Sequence, residues 1–514
     1  QVYNDHVVVF TNTTFAEGPA DGEIAFNYFL DSDTGAGSPF NVTVNTGGTT
    51  VFRSEVGLDA ALSHLGELVT DAAGTTEIHA DLVAVEATFN DAVLIGLDAN
   101  TGDVIGTDSF SHTANDDLVT IGESGKTTDV TFASTVNSVS GAMSDLTVVS
   151  ENTTFDGNVG QTDQLGTVIT TDDGGPDVTT LNAALFTAET FQFDDPVEVE
   201  QDARVTGTAS GDAILFNNIL DGVAGGEDLY LITTGGGLTR FGDDAGDTVG
   251  GVNPLGIVRT DVAPDNFTAA PDGTTLINSA IFIVEDELTF NDPVEIGTDG
   301  VAITANASGD STIRFNNTLD GVTGTDNVND LTLTANFVIF DDDGAAGEGV
   351  LDADPTASDG PDGIVGGNVP LGVVTVNGPT SIVVNTTAMT GDLFDFNGPL
   401  VVAVDDVPTP ADPNVGGNGG AVAITANNTV GGAGTAAVIF RDTVDSADDA
   451  TAADDAGENN DLLVYTNNDG LTQFFGDIGN ASFIATATID TALGRLFTDA
   501  DTTPGGTEYR KGSD

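Results

Sequence analysis

Cysteine is absent from this chain and positive charge is nearly so. With no cysteine among 514 residues, disulfide staples, thiolate metal ligands and thiol catalysis are excluded. Lysine and arginine together number 10 against 82 acidic residues, for a formal net charge of −72. Lys126 and Lys511 are the only lysines. Such a chain repels nucleic acid and anionic membranes and attracts cations. Long hydrophobic runs are missing too: SAIFIV (279–284) stops well short of a membrane span. Helical periodicity is scarce. Its best candidate, LDAALSHLGELV (58–69), puts Leu58, Ala61, Leu62, Leu65 and Val69 on one face, but its second half coincides with an LG motif that elsewhere sits in strand-like sequence. The chain opens on Gln1 rather than Met, as expected either of a processed mature terminus in a secreted protein or of a cut boundary.

What is present is repetitive. A content of 39% hydrophobic residues and 28 phenylalanines argues for a packed core despite the charge, which then falls on turns and outer faces. A first landmark reads EIAFNYFLD (23–31), DVTFASTVN (129–137), ILFNNILDG (214–222), IRFNNTLDG (313–321) and VIFRDTVDS (438–446). A second follows it each time: LGELVTD (65–71), LGTVITTD (165–172), PLGIVRTD (254–261), PLGVVTVN (370–377) and LGRLFTD (493–499). Two landmarks in one order at similar spacing indicate duplicated modules, divided at 1–105, 106–200, 201–300, 301–420 and 421–514.

Between the landmarks lie short segments with apolar residues at alternate positions, such as DLYLITT (228–234) and DLTLTAN (330–336), bounded by Gly, Asn and Asp turns. One such strand cannot bury its apolar face alone, whereas stacking rungs of roughly 20–25 residues can. The expected fold is all-β: a parallel β-helix, or β-solenoid, of about five degenerate repeats, with tandem β-sandwich modules as the alternative. The repeated Phe26, Phe132, Phe216, Phe315 and Phe440 are expected to form an interior ladder. The Asp-rich stretches 341–363 and 405–420 read as side loops.

The units TRFGDDAGDTVGGVNPLGIVRTD (239–261) and VIFDDDGAAGEGV…IVGGNVPLGVVTVN (338–377) resemble the F-x-G-x-V-G-G-x-x-P-L-G-x-V-x-V repeats of large secreted bacterial adhesins and surface proteins similar to the filamentous-haemagglutinin class. The pattern is clear in units three and four and weak in one and five; units one, two and five lack the Pro before LG. The resemblance implies a β-helical shaft and surface display, adhesion or matrix building.

Calcium is the cofactor the composition suggests, because hard carboxylate and carbonyl oxygens suit it. Candidate ligands are Asp243, Asp244 and Asp247; Asp341, Asp342 and Asp343; and Asp445, Asp448 and Asp449. Asp194, Asp195 and Asp292 join them from FDDP and FNDP, set beside strands. A solvated acidic loop that gathers ions loosely is the plainer reading, and none of these matches an EF-hand. Acidic pairs could instead cleave glycans, but that chemistry needs a set carboxylate separation that sequence does not supply. His6, His64, His79 and His112 form no H-E-x-x-H motif and are read as surface or structural. No nucleophile elbow or phosphate loop is found, so no enzymatic activity is expected. Nine N-x-[ST] sequons, among them Asn12, Asn41 and Asn152, are open to glycosylation in a glycosylating cell.

The expectation is therefore a secreted structural protein of the cell surface or extracellular matrix, either an adhesin shaft or a self-assembling filament subunit. Its partners would be copies of itself or neighbouring surface polymers, including glycan. A surface-layer protein of a salt-adapted cell is one alternative; a carbohydrate-binding or carbohydrate-cleaving β-helix is another.

Overall fold

Alternation of apolar and polar residues over four to seven positions makes short strands, and each strand then needs a neighbour on both edges. In the computed structural model those neighbours are the preceding and following rungs. The structure describes residues 1–17, 22–35, 37–59, 62–96, 118–171, 177–261, 273–306, 310–322, 329–341, 364–402, 421–429, 435–446, 461–468, 470–479, 484, 487–491, 497–498 and 510–511. Among them there is no helix, and the segment 58–69 resolves into the strand Leu65–Thr70. Among the described residues the strands pair in parallel register, and an isolated bridge between Ser32 and Ser63 is antiparallel. The chain is thus all-β with solenoid-like, rung-on-rung pairing. The Asp-rich stretches 342–363 and 403–420 lie outside the described residues. The chain divides into two compact units, Gln1–Leu238 and Thr239–Asp514.

In the first unit each rung has three sides. Glu23–Phe26, Thr49–Phe52, Thr75–Ile78 and Ala92–Ile95 stack on the first face. Leu30, Val56, Leu82 and Ile121 link the second. On the third, Val42–Asn45, Leu65–Thr70, Ala84–Phe89, Asp129–Phe132, Asn152–Phe155 and Val178–Leu181 stack in turn. Among the hydrogen bonds between rungs, those of Asp145 with Thr167 and of Asn41 with Glu67 span 22 and 26 positions, close to the expected rung length. The second unit repeats the plan: Leu331–Thr334 pairs with Leu371–Asn377, which pairs with the far half of Ala388–Phe396.

The inward positions are Val, Ile, Leu and Phe, almost all fully buried. Phe26, Phe132, Phe216, Phe315 and Phe440 are at most 1% exposed, so they belong to the core as expected. They do not stack on one another, however. Phe132 lies between Phe89 and Phe155 (5.4 and 5.2 Å between ring centroids), and Phe315 between Phe290 and Phe340 (5.3 and 5.7 Å). Phe26 stands on the first face of its unit, Phe132 on the third and Phe216 on the second. Among the described residues the chain advances by eleven wall segments from the strand of Phe26 to that of Phe132, the single-residue contacts of Val56 and Leu82 included. Eleven is one short of four three-sided rungs, so within the first unit each copy of the landmark is turned by one face.

The Val-Gly-Gly turn of units three and four recurs before the second landmark in units one and two as well, although both lack the second glycine. Val56–Gly57, Val159–Gly160, Val249–Gly250 and Val365–Gly366 each bury the valine and turn at a glycine with φ between 63 and 70°. A Cβ on any of these glycines would come within 2.1 Å of a carbonyl oxygen of the next rung. Only glycine tolerates both the left-handed dihedral and that approach.

Candidate cation sites

The turn after Leu238–Phe241 carries the sequence Gly242-Asp243-Asp244-Ala245-Gly246-Asp247. Gly242 takes a positive φ of 78° and folds the loop back. Asp247 Oδ2 then accepts the backbone N–H of Asp243 (2.9 Å) and of Asp244 (3.1 Å), and Asp244 Oδ1 accepts that of Gly246 (2.5 Å). Oxygens of the three carboxylates lie within 4.8 Å of one another, exposed or half-exposed. Partial burial, then the adjacent charges of Asp247 and Asp244, push the Asp243 carboxyl above its usual range. A cation placed among these oxygens would relieve that repulsion. The structure thus brings together all three residues of the first candidate set.

The other candidates fall differently. Asp341 ends the strand Phe337–Asp341, while Asp342, Asp343, Asp448 and Asp449 lie outside the described residues. Asp445 is half-buried on Val444–Ser446, paired in register with Val401. Asp194 accepts hydrogen bonds from Gln192 Nε2 (2.9 and 3.0 Å) and Asn217 Nδ2 (2.6 Å).

Asp195 and Asp292 turn inward. Asp292 is 1% exposed and receives the hydroxyl of Thr260 on Oδ1 and that of Thr275 on Oδ2, the latter at 2.7 Å. Burial, only partly offset by those two bonds, pushes its pKa up to about 6. Asp91 repeats the arrangement with Thr70 and Thr76 at 2.7 and 2.8 Å, and burial raises its pKa as well. Beside Asp195, the corresponding Thr179 and Thr170 hydroxyls are bonded to each other at 2.8 Å. At Asp91 and Asp292 these are interior corners, where threonine hydroxyls meet the carboxylate.

One mixed cluster was missed in the sequence. His6 Nε2 lies 2.6 Å from Oδ2 of the wholly buried Asp31, and His6 Nδ1 lies 3.9 Å from Asp59 Oδ2. Asp31 Oδ1 also accepts the Asp59 N–H at 3.2 Å. Burial raises the Asp31 pKa against the pull of these partners. No local motif announces this cluster. Its signal is the rung period, since the two bonds span 25 and 28 residues. The three residues offer one nitrogen and two carboxylates to a metal ion, although the imidazole–carboxylate bond serves a shared proton equally well.

No helix among the described residues is long and apolar enough to cross a membrane. The chain matches no protein-family model, no curated protein and no solved structure.

Proposed function

We propose that this chain is a non-enzymatic scaffold: a secreted structural protein of the cell surface or extracellular matrix, serving as an adhesin shaft or filament subunit, with calcium held at Asp243, Asp244 and Asp247. The observation that carries the reading is the parallel rung-on-rung stacking within each unit, in which most inward side chains are apolar and form core columns. Repeat architectures of this kind supply reach and surface. The adhesin resemblance of units three and four agrees with it. All-oxygen ligation at the acidic turn favours a hard cation such as calcium over a transition metal.

Electron micrographs and thermal unfolding, each with calcium and after chelation, test this reading. Calcium at a hundredfold excess over its dissociation constant should add about 2.7 kcal/mol of stability, and Asp247→Ala should abolish that gain. Unchanged melting in calcium would remove the ion but leave a passive shaft. Turnover of a soluble glycan would overturn the non-enzymatic reading altogether. The charge of −72 also fits a surface layer of a salt-adapted cell; stabilisation by molar monovalent salt without calcium would favour that alternative.

A further inference from the structure

The third face of the first unit carries outward threonines in register on nearly every rung. Thr14 pairs with Thr43, Thr43 with Val69, Val69 with Thr88, Thr88 with Thr131, Thr131 with Thr154, and Thr154 with Thr180. The row ends where Thr180 meets Glu198. Six of seven rungs thus present a hydroxyl and a methyl group, and Val69 keeps the branched shape. Parallel rungs set these groups about 4.8 Å apart, and β-branching holds each side chain near one rotamer. In-register side-chain ladders are also a recognised way to keep a sheet flat.

These hydroxyls differ from the inward ones. Thr70, Thr76, Thr260 and Thr275 all bond to aspartate within the chain. The six ladder hydroxyls make no side-chain hydrogen bond among the described residues and are exposed or half-exposed, so they are open to partners from the solvent side. Two positions before each threonine runs a second row, in which Glu67, Glu86, Asp129 and Asn152 are successive register partners. Asn41 is locked to Glu67 at 3.0 Å and Asn152 to Asp129 at 3.0 Å, so this row is ordered as well.

We propose that this face binds an ordered water lattice, the surface of ice. The flanking carboxylates would oppose each other if two copies met face to face, and they repel acidic polymers. No aromatic side chain stands outward on these strands to stack on a sugar ring; Phe89, Phe132 and Phe155 all point into the core. A rigid row of alternating hydroxyl and methyl groups, repeated at one spacing, suits a partner that is itself a neutral periodic array of hydrogen-bond donors and acceptors. This inference goes beyond the scaffold reading and stands without calcium.

Freezing-point osmometry and partition into a growing ice front test it on the full chain. The expected result is a gap between melting and growth temperatures, faceted crystals and protein enriched in the ice. Thr88→Lys with Thr131→Lys, both half-exposed and outward, should abolish the gap, while Thr147→Lys on the second face should not. Far-UV circular dichroism and a melt check the fold of each variant. Should the double variant misfold, Thr154→Ser, which removes one methyl group, must still narrow the gap. Absence of any gap in the unaltered chain, a folded double variant as active as the parent, or sedimentation with crystalline polysaccharide in place of ice enrichment would each overturn the proposal.

Discussion

Two corners of the second unit occupy the same local place in the repeated motif and are built from opposite chemistry. At one, Thr260, Thr275 and Asp292 meet in the interior. At the other the corresponding residues are Val376, Ile382 and Gly398. The equivalence follows from register: Thr260 pairs with Phe290 as Val376 pairs with Phe396, and Thr275 pairs with Val294 as Ile382 pairs with Leu400. The three positions are polar together at the first corner and lack any polar side chain at the second. The first corner is a satisfied hydrogen-bond network; the second leaves no polar group to satisfy. A half-converted corner would bury a donor or acceptor without a partner, which costs more than either complete solution.

The most disruptive challenge to this comparison is Gly398→Asp. A Cβ there would lie 2.0 Å from the Gly378 carbonyl oxygen, and the carboxylate would face Val376 and Ile382 with no donor. The loss should exceed about 4 kcal/mol in urea unfolding; a change under about 1 kcal/mol would show that the two corners tolerate the same residue. Next come Phe290→Ala and Phe396→Ala, each expected to cost about 3–5 kcal/mol. Both rings stack on a neighbour, at 5.3 and 5.4 Å. Clearly unequal losses would mean that the columns, not only the corners, differ.

The pH dependence gives a sharper contrast. The folded chain holds the Asp292 proton with a pKa of about 6, above the ordinary carboxyl value of about 4. Its contribution is fully present below about pH 4 and is lost as pH rises through about 6. Asp292→Asn keeps a neutral group of the same shape, so it should match the parent at low pH and exceed it by about 2–3 kcal/mol at pH 8. A constant difference across that range would remove the buried carboxyl as the titrating group. The smallest effect is expected from Thr260→Val, about 1–3 kcal/mol for one lost partner. Adding Thr275→Ile and Asp292→Gly should recover most of it, and additive losses in the triple variant would contradict the concerted reading.

Much of this was legible before any coordinates. Strand character and the solenoid-like class followed from alternation and repeat spacing, and the burial of the five landmark phenylalanines followed from their position in apolar segments. Asp243, Asp244 and Asp247 were legible as a group because three carboxylates within five residues of one turn have nowhere else to go. The surroundings of the corner aspartates were not legible: FNDP looks like an acidic turn, yet Asp292 is buried and faces hydroxyls supplied by residues 32 and 17 positions earlier. His6, Asp31 and Asp59 were invisible for the same reason. The threonine row was hidden further, because loops of unequal length between strands conceal which residues share a column.

The sequence by itself determined the period-two alternation, the turns and the placement of most of the charge outside a core of Phe, Val, Ile and Leu. Those are local properties, set by which side of a pleated strand each residue occupies and by what glycine permits at Val–Gly corners. Only the tertiary structure decided which residues meet. In the first unit an advance of eleven wall segments per landmark against three sides per rung turns each copy by one face. Thus Phe132 stacks on Phe89 and Phe155 rather than on another landmark, Asp292 is enclosed while Asp243 meets solvent, and six threonines from distant segments align in one outward row. Burial and partnership are properties of the rung above and the rung below, and their register is fixed when the chain winds.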